Sequence, residues 1–186
     1  HKYYSDCAYN IFDDKTSILR YAKIEHFDVQ NGIGIGYTLY VQGCSRHCLH
    51  CQNPQTWDFN GGTTYTQKEF NDMINFFNNY NYINRLTLCG GEPLENLTLC
   101  NIIASEFKRI YPNKKLWIYT GFTYEEICND IKYRPLLELC DVLVDGRYVD
   151  EQRDLTLKWR GSSNQRVLNI PESLKQKQAV LLEGEN

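Results

Sequence analysis

Short apolar runs that end at glycines alternate along this chain with segments of helical period. The runs Tyr37 to Gln42, Leu86 to Leu88, Leu116 to Tyr119, Val142 to Val144 and Arg166 to Ile170 have the length and character of strands. Between them, Thr66-Gln-Lys-Glu69 is a capping box ahead of Phe70, Met73, Ile74 and Phe77, which share one helical face. A second helix is expected through Leu99, Ile102, Ile103, Phe107 and Ile110, stopping at Pro112, and a third opens with the box Thr123-Tyr-Glu-Glu126. Strands alternating with helices imply right-handed crossovers and a parallel sheet. The expected class is α/β, either open and doubly wound or curled as a barrel or part of one.

The glycines indicate where chemistry sits. Gly43 follows the first strand, Gly90 and Gly91 the second, Gly121 the third and Gly146 the fourth. In parallel α/β folds the carboxyl ends of the strands share one rim, and ligand sites form there. Gly32-Ile-Gly-Ile-Gly36 precedes a strand instead of opening a helix, so a dinucleotide-binding reading is rejected.

Length and charge narrow the rest. A chain of 186 residues with 42% hydrophobic content supports one core, so residues 1–186 read as a single domain. A formal charge of −3, with Lys and Arg spread out apart from a local density around Arg147 to Arg166, argues against nucleic-acid or membrane-surface partners. With no bilayer-length apolar run and no signal-peptide pattern at the start, the expectation is a soluble cytoplasmic protein. The tail 171–186 is polar and is expected to begin as helix.

Of eight cysteines, three crowd into Cys44-Ser-Arg-His-Cys48-Leu-His-Cys51, while Cys7, Cys89, Cys100, Cys128 and Cys140 are scattered. The scattered thiols read as small core residues. The crowded ones have three readings: buried thiols that happen to cluster, a structural zinc site completed by His47 or His50, or an iron-sulfur cluster held by three cysteines. A second pair of zinc ligands is missing elsewhere in the sequence, which weighs against zinc.

CxxxCxxC after a first strand, followed by Gly90-Gly-Glu-Pro93 after the second, resembles the radical S-adenosylmethionine superfamily. Within it, Asp28-Val-Gln-Asn-Gly32, Asn53-Pro-Gln-Thr-Trp57, Trp117-Ile-Tyr-Thr-Gly121, Asp141-Val-Leu-Val-Asp-Gly146 and above all Arg153 to Arg166 are similar to the activating proteins of anaerobic ribonucleotide reductases. The likeness covers a core of about 24–170, leaving an N-terminal extension 1–23 and the tail 171–186. It implies a partial, open-sided (β/α) barrel of about six units, since a full eight-unit barrel takes about 250 residues.

The resemblance further implies a 4Fe-4S cluster on Cys44, Cys48 and Cys51, whose fourth iron takes the amino and carboxylate groups of S-adenosylmethionine. His50, Cys51 and Gln52 are then expected near the adenine, His50 otherwise being a solvated loop imidazole. Gly90 and Gly91 let the backbone approach the ligand, and Glu92 helps hold the methionine ammonium. Asp145, Asn164 and Arg166 are candidates to line the opening or touch the ligand. The implied reaction is reductive cleavage to a 5′-deoxyadenosyl radical, which makes a glycyl radical on the large subunit of anaerobic ribonucleotide reductase, with flavodoxin or a similar electron donor. Activation of another glycyl-radical enzyme, small-molecule radical synthesis and a non-catalytic zinc-binding interaction module remain as alternatives.

Overall fold

The computed structural model describes residue 12 and residues 18–186. Cys7 and most of the 1–23 extension lie outside the described residues. The chain forms β1 (Arg20–Asp28), β2 (Gly36–Val41), β3 (Thr63–Thr64), α1 (Gln67–Asn79), β4 (Arg85–Gly90), α2 (Leu97–Ile110), β5 (Lys115–Tyr119), α3 (Tyr124–Cys128), α4 (Arg134–Leu139), β6 (Val142–Asp145), β7 (Arg166–Asn169) and α5 (Ile170–Gln176). All seven strands join one sheet in the order β3-β1-β2-β4-β5-β6-β7. The central strands β2, β4, β5 and β6 are parallel and follow one another in one direction across the sheet.

The sheet is mixed where a parallel one was expected. β7 runs antiparallel to β6, because residues 146–165 supply only the 3-10 turn Asp150–Gln152 and no crossover helix. β1 pairs antiparallel with β2, and β3 with β1. β1 went unrecognised because Arg20, Lys23, Glu25 and His26 break up its apolar alternation. Its side chains are mostly half-exposed, as suits a strand near a sheet edge.

Register aligns Leu39, Leu88, Ile118, Leu143 and Leu168 in one row across five strands. Every member is buried to within 1% exposure, and each contributes about 1.5–3 kcal/mol through lost apolar hydration. This row packs under Phe70, Met73, Ile74 and Phe77 of α1, Leu99, Ile103 and Phe107 of α2, and Leu136 and Leu137 of α4. The capping boxes start helices where expected: Thr66 N–H donates to the Glu69 carboxylate at 2.7 Å, and Thr123 N–H to Glu126 at 2.7 Å.

The opposite face differs. Thr38, Thr87, Trp117 and Val142 form its matching row. Beside it the buried Arg85 guanidinium donates to Asp28 Oδ2 (3.2 Å), Thr87 Oγ1 (2.6 Å) and the carbonyls of Asp28 (2.6 Å) and Asn31 (2.8 Å). A Cβ on Gly32 or on Gly36 would meet the Arg85 side chain at 2.6 Å. The glycine-rich stretch therefore wraps an arginine of its own chain.

Trp159 covers Trp117 edge-on at 5.8 Å and donates from Nε1 to Glu185 at 2.6 Å. The tail does start as helix, then doubles back along β7: Asn169 N–H donates to the Val180 carbonyl, Leu182 N–H to the Val167 carbonyl, and the Asn186 amide to Val167. Among the described residues no helix is long and apolar enough to cross a membrane.

Candidate functional site

The three thiols lie on the loop leaving the carboxyl end of β2. Gly43, at φ 121°, turns the chain out of the strand. The 3-10 turn Pro54–Thr56 then closes the loop: Gly43 N–H donates to the Thr56 carbonyl at 2.7 Å and Cys44 N–H to the Trp57 carbonyl at 3.1 Å. Inside it Cys51 N–H donates to the Cys48 carbonyl at 3.1 Å. His47 and His50 both take left-handed φ values, and the His47 ring stacks on Trp57 with 4.3 Å between centroids. Cys44, Cys48 and Cys51 are half-buried and free. Of the scattered thiols described, Cys89, Cys100 and Cys140 are buried as expected. Cys128 is exposed instead, because the five-residue α3 turns Tyr124 and Ile127 inward and leaves its last residue outside.

The Gly90-Gly91-Glu92 turn is joined directly to this loop. Gly91 N–H donates to the Val41 carbonyl at 3.0 Å and Glu92 N–H to the Gly43 carbonyl at 2.9 Å. The Asn96 amide also reaches the Gly43 carbonyl, at 3.1 Å. A Cβ on Gly91 would stand 2.4 Å from the Gly43 carbonyl oxygen, and one on Gly90 would stand 2.7 Å from the Tyr40 backbone. These two glycines let the strand-end backbones touch.

Glu92, only 1% exposed, is turned into the fold. Its carboxylate accepts from Leu94 N–H (2.9 Å), Gly121 N–H (2.6 Å) and the Thr120 hydroxyl (2.9 Å). Burial pushes its pKa up to about 7, against the pull of those donors. The side chain thus braces the ends of β4 and β5 against each other.

His50 is exposed and has its Nδ1 2.8 Å from Asp150 Oδ2. The Tyr148 hydroxyl and then His50 hold Asp150 below the usual carboxylate range. Gln52 is exposed beside Cys51. Asp145, 1% exposed, accepts from Tyr124 N–H (2.8 Å) and from the Arg166 guanidinium, which also pairs with Glu125. Asn164 donates to the Arg147 carbonyl at 2.7 Å. Asp145, Asn164 and Arg166 do come together, lining a cleft of about 610 Å³ with Arg46, Gly121 and Arg147. A second cleft of about 620 Å³ shares Arg46 and Arg147 and adds Ser45, Glu95 and Lys132.

Sequence reasoning missed Arg46, whose guanidinium lies 4.0 Å over the Phe122 ring, and the bond that the Thr120 hydroxyl donates to Glu92. Arg46 sits between two motif cysteines, where spacing alone carries no signal. Arg147 begins the basic segment that sequence did single out.

The donor set suits a thiolate-bound cluster. Arg147 Nε–H donates to Cys48 Sγ at 3.3 Å and Asn53 N–H to Cys51 Sγ at 3.4 Å, the kind of N–H to sulfur contact that cluster-bound cysteines accept. Among the described residues no three His, Cys, Asp or Glu side chains stand close enough to share a single metal ion.

Residues 30–168 match the model of a family described as a 4Fe-4S single cluster domain, which defines the class. A protein of Haemophilus influenzae is 35% identical over 150 residues, covering 79% of this chain and 96% of its own. One from Escherichia coli K12 is 33% identical over 155 residues, covering 82% and 99%, and one from Enterobacteria phage T4 is 35% identical over 153, covering 80% and 93%. All three carry the name anaerobic ribonucleoside-triphosphate reductase-activating protein. The chain belongs to that family of activating proteins.

Proposed function

We propose that the chain is a cytoplasmic radical S-adenosylmethionine activase that generates the glycyl radical of anaerobic ribonucleotide reductase. The observation that carries this reading is the joint between the cysteine loop and the Gly90-Gly91-Glu92 turn, made by Gly91 and Glu92 N–H groups in a member of this family. Cys44, Cys48 and Cys51 would hold three irons of a 4Fe-4S cluster and leave the fourth to the amino and carboxylate groups of S-adenosylmethionine. The chemistry these bound groups supply is one-electron cleavage of the sulfonium, giving methionine and a 5′-deoxyadenosyl radical that takes one Cα hydrogen from the target glycine.

The chain's own residues bind and orient. Gly90 and Gly91 bring the turn against the loop, and Glu92 keeps it rigid from below, so the backbone there can receive the methionine end. His50 and Gln52, exposed beside Cys51, are in reach of an adenine at the loop. Asp145 and Asn164 shape the neighbouring cleft, the first by fixing Arg166 and the second by holding the Arg147 backbone. Strands that advance in one direction with their helices on one face support the partial, open-sided barrel, whose open side admits a loop of the reductase large subunit. Flavodoxin or a donor of similar potential would deliver the electron.

The test is anaerobic reconstitution with iron and sulfide, followed by reductant, S-adenosylmethionine and the reductase large subunit. A brown protein that cleaves the cofactor and yields a glycyl doublet in electron paramagnetic resonance is expected. Cofactor cleavage without the doublet would point to another target. A colourless protein retaining zinc would end the cluster reading.

A further inference from the structure

We propose that Arg147 is a positioning residue for the iron-sulfur centre, tying Cys48 in place and raising the cluster's reduction potential; this rests on the cluster reading above. Gly146, at φ 95°, turns the chain sharply at the end of β6, and its N–H donates to the Phe122 carbonyl at 2.9 Å. That turn sends the next side chain across the rim to the cysteine loop. Arg147 Nε–H donates to Cys48 Sγ at 3.3 Å while its second terminal nitrogen donates to the Arg46 carbonyl at 2.8 Å. One planar fork thus grips a ligand sulfur and the loop backbone together, a grip that sets direction as well as distance. Its own carbonyl is held by Asn164, which steadies the base of the side chain.

The charge of Arg147 is free for this task. Arg85 pairs with Asp28, and Arg166 pairs with Asp145 and Glu125. Among the described residues no carboxylate lies within ion-pair distance of Arg147. It stands exposed on the ridge shared by the two clefts, where a sulfur ligand is the partner nearest its Nε.

The consequence is electrostatic. Reduction adds one negative charge to a cluster, part of which falls on the ligand sulfurs. A cationic N–H donor to one of them stabilises the reduced form more than the oxidised form, so the potential rises. Removing the donor leaves the cluster harder to reduce.

Reconstituted wild type, Arg147→Gln, Arg147→Lys and the control Arg160→Gln are compared by iron and sulfide content and by redox titration followed by electron paramagnetic resonance. Only loaded, reduced clusters give the signal, so partial loading leaves the midpoint readable. In Arg147→Gln the ratio of reduced to oxidised cluster at a fixed poise is expected to fall about tenfold, a midpoint about 59 mV more negative. Arg147→Lys should fall in between, since it keeps the charge and loses the fork. Arg160 bonds the Gln165 carbonyl within its own loop, and Arg160→Gln should leave the midpoint unmoved. A wild-type midpoint in Arg147→Gln, or an equal shift in Arg160→Gln, overturns the assignment. If wild type itself takes up no cluster, the functional reading fails and not merely the role of Arg147.

Discussion

Two glycine-rich stretches lie at opposite ends of β2, and they use the same residue for different ends. Gly32 to Gly36 gives up side chains so that the Arg85 guanidinium can be buried among backbone carbonyls. Gly90 and Gly91 give them up so that two backbones can meet beside the thiol loop. At the first, glycine makes room for a group the chain already owns. At the second, it joins two loops whose outer surfaces stay open. A carboxylate partners each: Asp28 at one end, Glu92 at the other.

The largest effect should follow from Arg85→Met. It strands Asp28, whose side chain is 2% exposed, as an unpaired buried charge, and should cost about 3–5 kcal/mol in urea or thermal unfolding. A loss under 1 kcal/mol would mean that the glycine stretch is not built around that charge. Gly91→Ala should come next, at about 1–3 kcal/mol, because the added Cβ meets unyielding backbone at Gly43. Iron uptake should fall with it, and unchanged uptake would separate the turn from the thiol loop.

Glu92→Gln keeps one oxygen acceptor but sets its NH2 against the N–H of either Leu94 or Gly121, and should also cost about 1–3 kcal/mol. It also tests an opposition in pH dependence. Glu92 is raised from 4.5 to about 7, so its stabilising contribution is full below 4.5 and is lost as pH rises through 7. For Asp28 burial pushes upward, but the Thr38 hydroxyl, Gln30 N–H and Arg85 outweigh it and leave the pKa below 3.8. Its contribution is present above 3.8 and lost as pH falls through the lowered value. Unfolding measured from pH 4.5 to 7 should therefore lose its Glu92 slope in Glu92→Gln, and an unaltered slope would contradict the burial argument. Gly34→Ala is the smallest change. Its φ is 72° with open space around it, so conformational strain alone should cost about 1 kcal/mol, read as a small drop in unfolding midpoint.

Much of this architecture was legible in the sequence because it depends on local pattern. The central strands, the capping boxes at Thr66 and Thr123 and the end of α2 before Pro112 follow from periodicity, hydrogen-bonding side chains and a ring that cannot continue a helix. β1 and the antiparallel course of β7 were not legible. One is masked by polar residues near a sheet edge, and the other depends on what the 146–165 connection fails to form. Residue type and spacing were enough to place the thiol loop and the glycine turn at neighbouring strand ends. They could not say that Glu92 faces inward or that Cys128 faces outward, since both depend on which neighbours packing brings near.

The sequence by itself determined the alternation of elements, the rim on which the glycines gather and the crowding of three thiols into one loop. Only the tertiary structure decided that Arg147, ninety-nine residues beyond Cys48, reaches its sulfur, and that Arg85 fills the glycine stretch before β2. Local pattern governs a few consecutive residues at a time. Contacts between distant residues arise when the sheet register aligns strand ends, which short-range spacing does not specify.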